Sequence, residues 1–174
     1  MMRSLNEIQG MVLKAARGAG VPLGIAEDWS AVAGHLVQNA ALPDYLAALA
    51  QVHTPANGVW FANGDLAIAD ARALMAGPAA LDALAGETKR AALKDLDSPK
   101  LLECLVAPTT TALVADEGMH FLMPEKAAPV TVTGPLDVDP TIWAALDAFA
   151  QKTYVPATEA SRLKGAGAGL TDND

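Results

Sequence analysis

Two Asn-Gly dipeptides, Asn57-Gly58 and Asn63-Gly64, stand six residues apart near the middle of the chain and bracket residues 59–62. Such a pair supplies two successive residues that tolerate positive φ, the geometry of a tight hairpin turn. Behind the second dipeptide, 65–69 alternates, with Leu66 and Ile68 on one side. A hairpin of 59–62 and 65–69 commits part of the chain to antiparallel pairing. The competing reading merges 66–75 into one helix.

Upstream of the hairpin the apolar period is helical. Ser4 followed by Glu7 is a capping box, and Leu5, Ile8, Val12 and Ala15 or Ala16 recur at helical spacing, so a first helix runs to about Arg17. Gly18 and Gly20 can supply a C-cap, and Pro22 stops continuation. A second amphipathic helix carries Ile25, Trp29, Val32 and Leu36, with Glu27 and Asp28 in its first turn facing the dipole. The two form a short-looped pair. A third segment, 45–52, starts after Pro43-Asp44 and ends at Thr54-Pro55.

Downstream, Asp70 can cap a short helix to Ala76 closed by Gly77, and Pro78 can open another to Ala85. Residues 87–99 are charged and read as either a helix or an edge strand. Past Pro99 the expected elements are short strands at 101–107, 112–115, 119–123 and 130–133, an antiparallel meander with Thr109 to Thr111 as a bend. Asp139-Pro140 then caps a helix whose apolar face is Ile142, Trp143, Leu146 and Phe149. With no regular βαβ alternation, the expected class is α+β: an N-terminal helix pair and a C-terminal helix packed on an antiparallel sheet of about four to six short strands. Residues 1–153 are expected to form one compact domain. The glycine-rich tail, 154–174, is expected to pack on that body or on a partner chain.

Composition narrows the function classes. The 174 residues suit one core, and alanine fills about a fifth of the positions, so that core is built from many small contacts. A net charge of −8 argues against a nucleic-acid backbone binder. No apolar run is long enough for a membrane span, and the N-terminus lacks a signal-peptide core, which makes the cytoplasm the expected location. Lone Cys104 excludes an internal disulfide; alternating with Leu102 and Val106, it reads as a buried small hydrophobe. The charge is uneven. Over residues 1–20 Arg3, Lys14 and Arg17 outweigh Glu7, and over 151–170 Lys152, Arg162 and Lys164 outweigh Glu159, while residues 21–150 hold six bases against sixteen acids.

Few residues suggest chemistry. Ser161 and Lys164 match S-x-x-K, in which a lysine one helical turn away could take the serine proton, but Gly165 follows at once and the companion S-D-N and K-T-G motifs are missing. Gly165, Gly167 and Gly169 fit neither nucleotide fingerprint, though alternating glycines can turn N–H groups toward one point as an anion nest. Lys14-Ala-Ala-Arg17-Gly-Ala-Gly20 echoes Arg162-Leu-Lys164-Gly-Ala-Gly167: both place two bases before Gly-Ala-Gly. Cations in the last turn of a helix are favoured by the dipole in any case. His35, His53 and His120 lie in different elements without ligand spacing, His35 and His53 on partly exposed helix faces, and no metal or cofactor is expected. Asp172-Asn173-Asp174 reads as a solvated acidic end. Trp29, Trp60 and Trp143 read as core anchors.

SLNEI at 4–8, KAARGAG at 14–20, Gly24-Ile-Ala-Glu27 and YVPATEASRLKGAGAG at 154–169 together resemble a bacterial family, domain of unknown function 3726. The resemblance covers both ends well and the middle loosely. It implies a small soluble bacterial protein and carries over no reaction and no site residue. The expected function is therefore binding of a small anionic metabolite, with turnover left open, between the N-terminal helix end and the tail. Its candidate residues are Lys14, Arg17, Gly18, Gly20, Ser161, Arg162, Lys164, Gly165 and Gly167. The alternative is a non-catalytic homodimeric interaction module that uses the tail as an arm.

Overall fold

A computed structural model describes residues 1–53, 58–86, 88–124 and 128–153. Its first half is helical. Strand β1 (Met2–Arg3) leads into α1 (Leu5–Ala19), α2 (Leu23–Ala31), α3 (Ala33–Gln38) and α4 (Leu42–Ala50). The capping box forms: the Ser4 hydroxyl accepts from the Glu7 N–H, and Glu7 accepts from the Ser4 N–H at 2.9 Å. Gly20, at φ 97°, closes α1 with its N–H on the carbonyls of Ala16 and Arg17, a left-handed cap that only glycine adopts without strain.

The expected second helix is two. The chain breaks at Val32, whose φ of −97° and ψ of 10° take it out of the helical region, and His35 and Leu36 both donate to its carbonyl. Because α2 opens at Leu23, Glu27 and Asp28 fall beyond its first turn, which holds no acid. His35 is buried rather than half-exposed, since α3 lies inside the molecule.

The second half contains the sheet. It runs β2 (Gly58–Ala62), β3 (Asp65–Ala69), α5 (Ala73–Ala85), β4 (Arg90–Lys94), α6 (Pro99–Val106), β5 (Ala112–Asp116), β6 (Met119–Met123), β7 (Leu136–Asp137) and α7 (Pro140–Ala150), with a 3-10 turn at Gln151–Thr153. The class is α+β. The hairpin forms as its turn requires, β2 antiparallel to β3, with Asn63 and Gly64 at φ 55° and 84°. Five strands in the order β2-β3-β4-β6-β5 make one sheet, while β1 and β7 form a separate two-stranded pair. The main sheet is mixed: β3 and β4 run parallel, joined by α5 as one βαβ crossover.

Four expectations give way to tertiary context. Residues 87–99 hold β4, a central strand paired on both sides, because Ala91, Ala92 and Leu93 are buried between charged ends. Residues 101–107 are helical, not a strand: Ser98 accepts from the Leu101 N–H, Pro99 opens α6, and Leu101, Leu102, Cys104 and Leu105 are buried on one side. Residues 130–133 are irregular, and the late strand is β7. The N-cap position is Arg72 rather than Asp70, which at φ 46° turns the chain toward a single helix that runs from Ala73 through Pro78.

Two helical layers follow from these contacts. Helices α5 and α6 pack on the sheet, whereas α1 packs on α7 and on α2, α3 and α4, so the N-terminal helices and α7 sit away from the sheet rather than on it. Ile8, Val12, Ala15 and Ala16 of α1 are fully buried, and Trp29 and Tyr45 meet at 5.6 Å between ring centroids. Trp143 is half-buried under the Arg3 guanidinium, 4.5 Å from its ring centroid. Among the described residues no helix is long and apolar enough to cross a membrane.

Candidate functional site

Lys14 and Arg17 lie one turn apart near the end of α1, so both side chains leave the same side of the helix. Together with Leu13, Leu23 and Thr153 they line an open groove of about 410 Å³. Among the described residues no acid contributes to its wall. Arg17 is anchored, its Nη1 donating to the Val21 carbonyl at 2.7 Å. Lys14 is exposed and has no hydrogen-bond or ion-pair partner among the described residues. Thr153 Oγ1 donates to the Ala150 carbonyl at 2.7 Å, which fixes the far wall.

The two expected glycines have structural roles. A Cβ on Gly18 would lie 1.8 Å from the Phe149 carbonyl oxygen, so glycine is what lets α1 and α7 approach here. Gly20 is the left-handed cap, and its Cα faces the His53 imidazole, 3.2 Å from an ideal Cβ. The backbone donors of this turn are spent: Gly20 on Ala16 and Arg17, and Val21 on Ala16 at 3.0 Å. Ser161, Arg162, Lys164, Gly165 and Gly167 lie outside the described residues, as does the Asp172-Asn173-Asp174 end. The described part of the C-terminal region does reach the end of α1, because Thr153, the residue before 154–174, is part of the groove.

Residues 3–44 match the model of a family described as protein of unknown function (DUF3726). Over this stretch the chain is similar to DUF3726. That segment spans α1, α2 and α3 and includes four of the five groove residues, Leu13, Lys14, Arg17 and Leu23; Thr153 comes from outside it. No curated protein and no solved structure matches the chain.

A second hollow, of about 360 Å³, lies where α3 and α4 meet the start of α7, with Leu36, Leu42, Val138 and Ile142 among its walls and Asp137 and Asp139 at its rim. Both carboxylates are engaged. Asp137 takes the Met1 ammonium at 2.6 Å, and Asp139 caps α7 by accepting from the N–H and hydroxyl of Thr141, which holds its carboxyl below the usual range. Cys104 is buried, donates to the His35 carbonyl at 3.6 Å, and has its thiol pushed up to about 11 by burial. His53 is exposed and His120 half-buried. Among the described residues no group of three or more His, Cys, Asp or Glu is placed to hold a metal.

Leu13, Leu23 and Thr153 were not singled out from the sequence. Leu23 offers the one usable signal: a large apolar residue directly after Pro22 that α2 leaves 53% exposed.

Proposed function

We propose that the protein binds a small anionic metabolite in the groove beside the end of α1, with residues from 154–174 completing the site. The observation that supports this is the convergence of Lys14 and Arg17 with Thr153 on one groove to which, among the described residues, no acid contributes, in a chain of net charge −8. A helix C-terminus carries partial negative charge, about half an elementary charge. Two full cations exceed it, so the groove is net positive. Arg162 and Lys164 would add charge, with Ser161 and the Gly165 and Gly167 backbones as donors. The Thr153 hydroxyl donates to the Ala150 carbonyl rather than to a side-chain base, which favours binding over turnover.

A thermal-shift screen against organic acids and phosphorylated metabolites tests this. Wild type is stabilised by at least one anion, and Lys14→Ala and Arg162→Ala/Lys164→Ala each reduce that shift. Stabilisation unchanged in both variants contradicts the site.

A homodimeric interaction module is the second reading, and the observation favouring it is an edge strand. Among the described residues β2 has one neighbour, β3, and leaves Val59 and Phe61 60% and 69% exposed. Antiparallel pairing with the β2 of a second copy, centred on Trp60, would set each Val59 opposite a Phe61. Phe61→Lys should then abolish the dimer mass in light scattering while leaving anion binding intact; a dimer that persists counts against this edge.

A further inference from the structure

The geometry points to a separate site, a groove between α2, α5 and the end of α6 that binds a short alkylamine, an ammonium head on an aliphatic stem. The groove measures about 190 Å3, with Asp28 of α2 and Asp82 of α5 on its wall and Leu81, Leu105 and Pro108 among its apolar residues. It shares no wall residue with the α1 groove, so it stands whether or not the anion site does.

Negative charge reaches this groove from several sources. Asp28 and Asp82 are exposed, and neither makes a hydrogen bond or ion pair among the described residues. Burial, and after it the charges of Asp82 and Glu27, hold the Asp28 carboxyl above its usual range. Helix ends add to this. Ala31 closes α2 and Leu105 lies in the last turn of α6, so the wall includes two helix C-termini, each with a partial negative charge. Among the described residues no Lys, Arg or His lines the groove, and the Thr109 hydroxyl has spent its proton on the Val106 carbonyl at 2.8 Å. A cation entering here relieves the repulsion between the two carboxylates.

The wall also selects the kind of cation. Among the described residues no third His, Cys, Asp or Glu joins the two carboxylates to hold a metal, and the apolar wall offers no oxygen to a hard ion. An alkyl stem covers Leu81, Leu105 and Pro108 while its ammonium head stays at the carboxylates. The volume admits about six atoms of water size, which sets the stem at about four to five carbons.

Two-dimensional NMR of the labelled full chain, titrated with methylamine, propylamine, butylamine and pentylamine beside butanol, butyrate and magnesium chloride, tests this. The amines should shift the Leu81 and Leu105 methyls together, with affinity rising about twofold per added CH2, roughly half the gain of full burial because the groove is open. Asp82→Asn should weaken every amine by roughly two- to fivefold, the worth of an exposed charge pair, without flattening the series. Butanol or butyrate binding as tightly as butylamine overturns the ammonium head, and a flat amine series overturns the stem. Magnesium displacing butylamine at equal concentration overturns the organic cation. Unchanged affinity in Asp82→Asn overturns the assignment to this groove. The Arg162→Ala/Lys164→Ala chain should bind butylamine as wild type does; binding seen only in that chain would make a cation of 154–174 the occupant and overturn the free amine. No shift with any amine in either chain overturns the site itself.

Discussion

The indole N–H of Trp29 donates to the main-chain carbonyl of Leu74 at 2.8 Å, and that carbonyl is the one Pro78 leaves without a partner inside α5. Proline has no N–H to give to the residue four positions back, so a buried helix with an internal proline carries an orphan acceptor. Trp29, fully buried and coming from α2, fills that vacancy and ties the helical half to the helix that covers the sheet. Trp29→Phe should cost about 2–3 kcal/mol, from an unsatisfied buried carbonyl plus lost packing. In the Pro78→Ala background an alanine N–H can reach the same carbonyl, so the two substitutions should couple by about 1 kcal/mol in a urea-denaturation cycle. Strict additivity would mean the indole bond does not compensate for the proline.

Gly18→Ala tests the approach of α1 to α7. Alanine is the better helix former, by about 1 kcal/mol. Against that, its methyl would be driven into the Phe149 backbone, which cannot step aside as a side-chain tip could. A net loss of roughly 2 kcal/mol or more is expected in thermal or urea unfolding. A neutral or stabilising result would show that the helices do not pack this closely.

Burial holds the His35 imidazole below its ordinary value of 6.5, with a hydrogen bond to the Val130 backbone opposing the shift in part. As pH falls below about 6.5 the unfolded chain takes up a proton that folded His35 does not, so stability declines until the lowered folded pKa is passed. Above that range His35 is neutral in both states and adds no slope. The urea midpoint should therefore drop as pH falls below about 6.5, and His35→Asn should reduce that slope. An unchanged slope would remove His35 as its source.

Cys104, buried and with its thiol pushed up to about 11, should resist iodoacetamide in the folded protein at pH 8 and react once urea unfolds it. Modification at the rate of a free thiol would place it at the surface.

What the sequence disclosed was local chemistry. Ser4 with Glu7, Gly20 and Asp139-Pro140 each close a helix end through bonds made within a few residues, and Asn63-Gly64 fixes a turn by its own φ preference. What stayed hidden depends on partners far along the chain. β4 is a strand because β3 and β6 flank it, and nothing in its short Ala91-Ala92-Leu93 run says so by itself. The α6 segment has the look of a strand because Leu102, Cys104 and Val106 alternate, whereas Leu101 and Leu105 complete a helical face that Ser98-Pro99 opens. Pro78 looked like the start of a helix because its compensation lies on Trp29, 45 residues from the carbonyl it serves. For the site, the base pair at Lys14 and Arg17 was visible by spacing, whereas its meeting with Thr153 is a matter of α1 packing on α7.

The central claim is that the Lys14 and Arg17 groove is where a small organic anion binds. Two-dimensional NMR of the labelled full chain, titrated with hexanoate, reads this most directly. The account predicts shifts concentrated at the Leu13 and Leu23 methyls, the Lys14 side chain and the Thr153 amide, all saturating together. Shifts confined to Val37, Leu42 and Ile142 around the other hollow, or none at all, would contradict it.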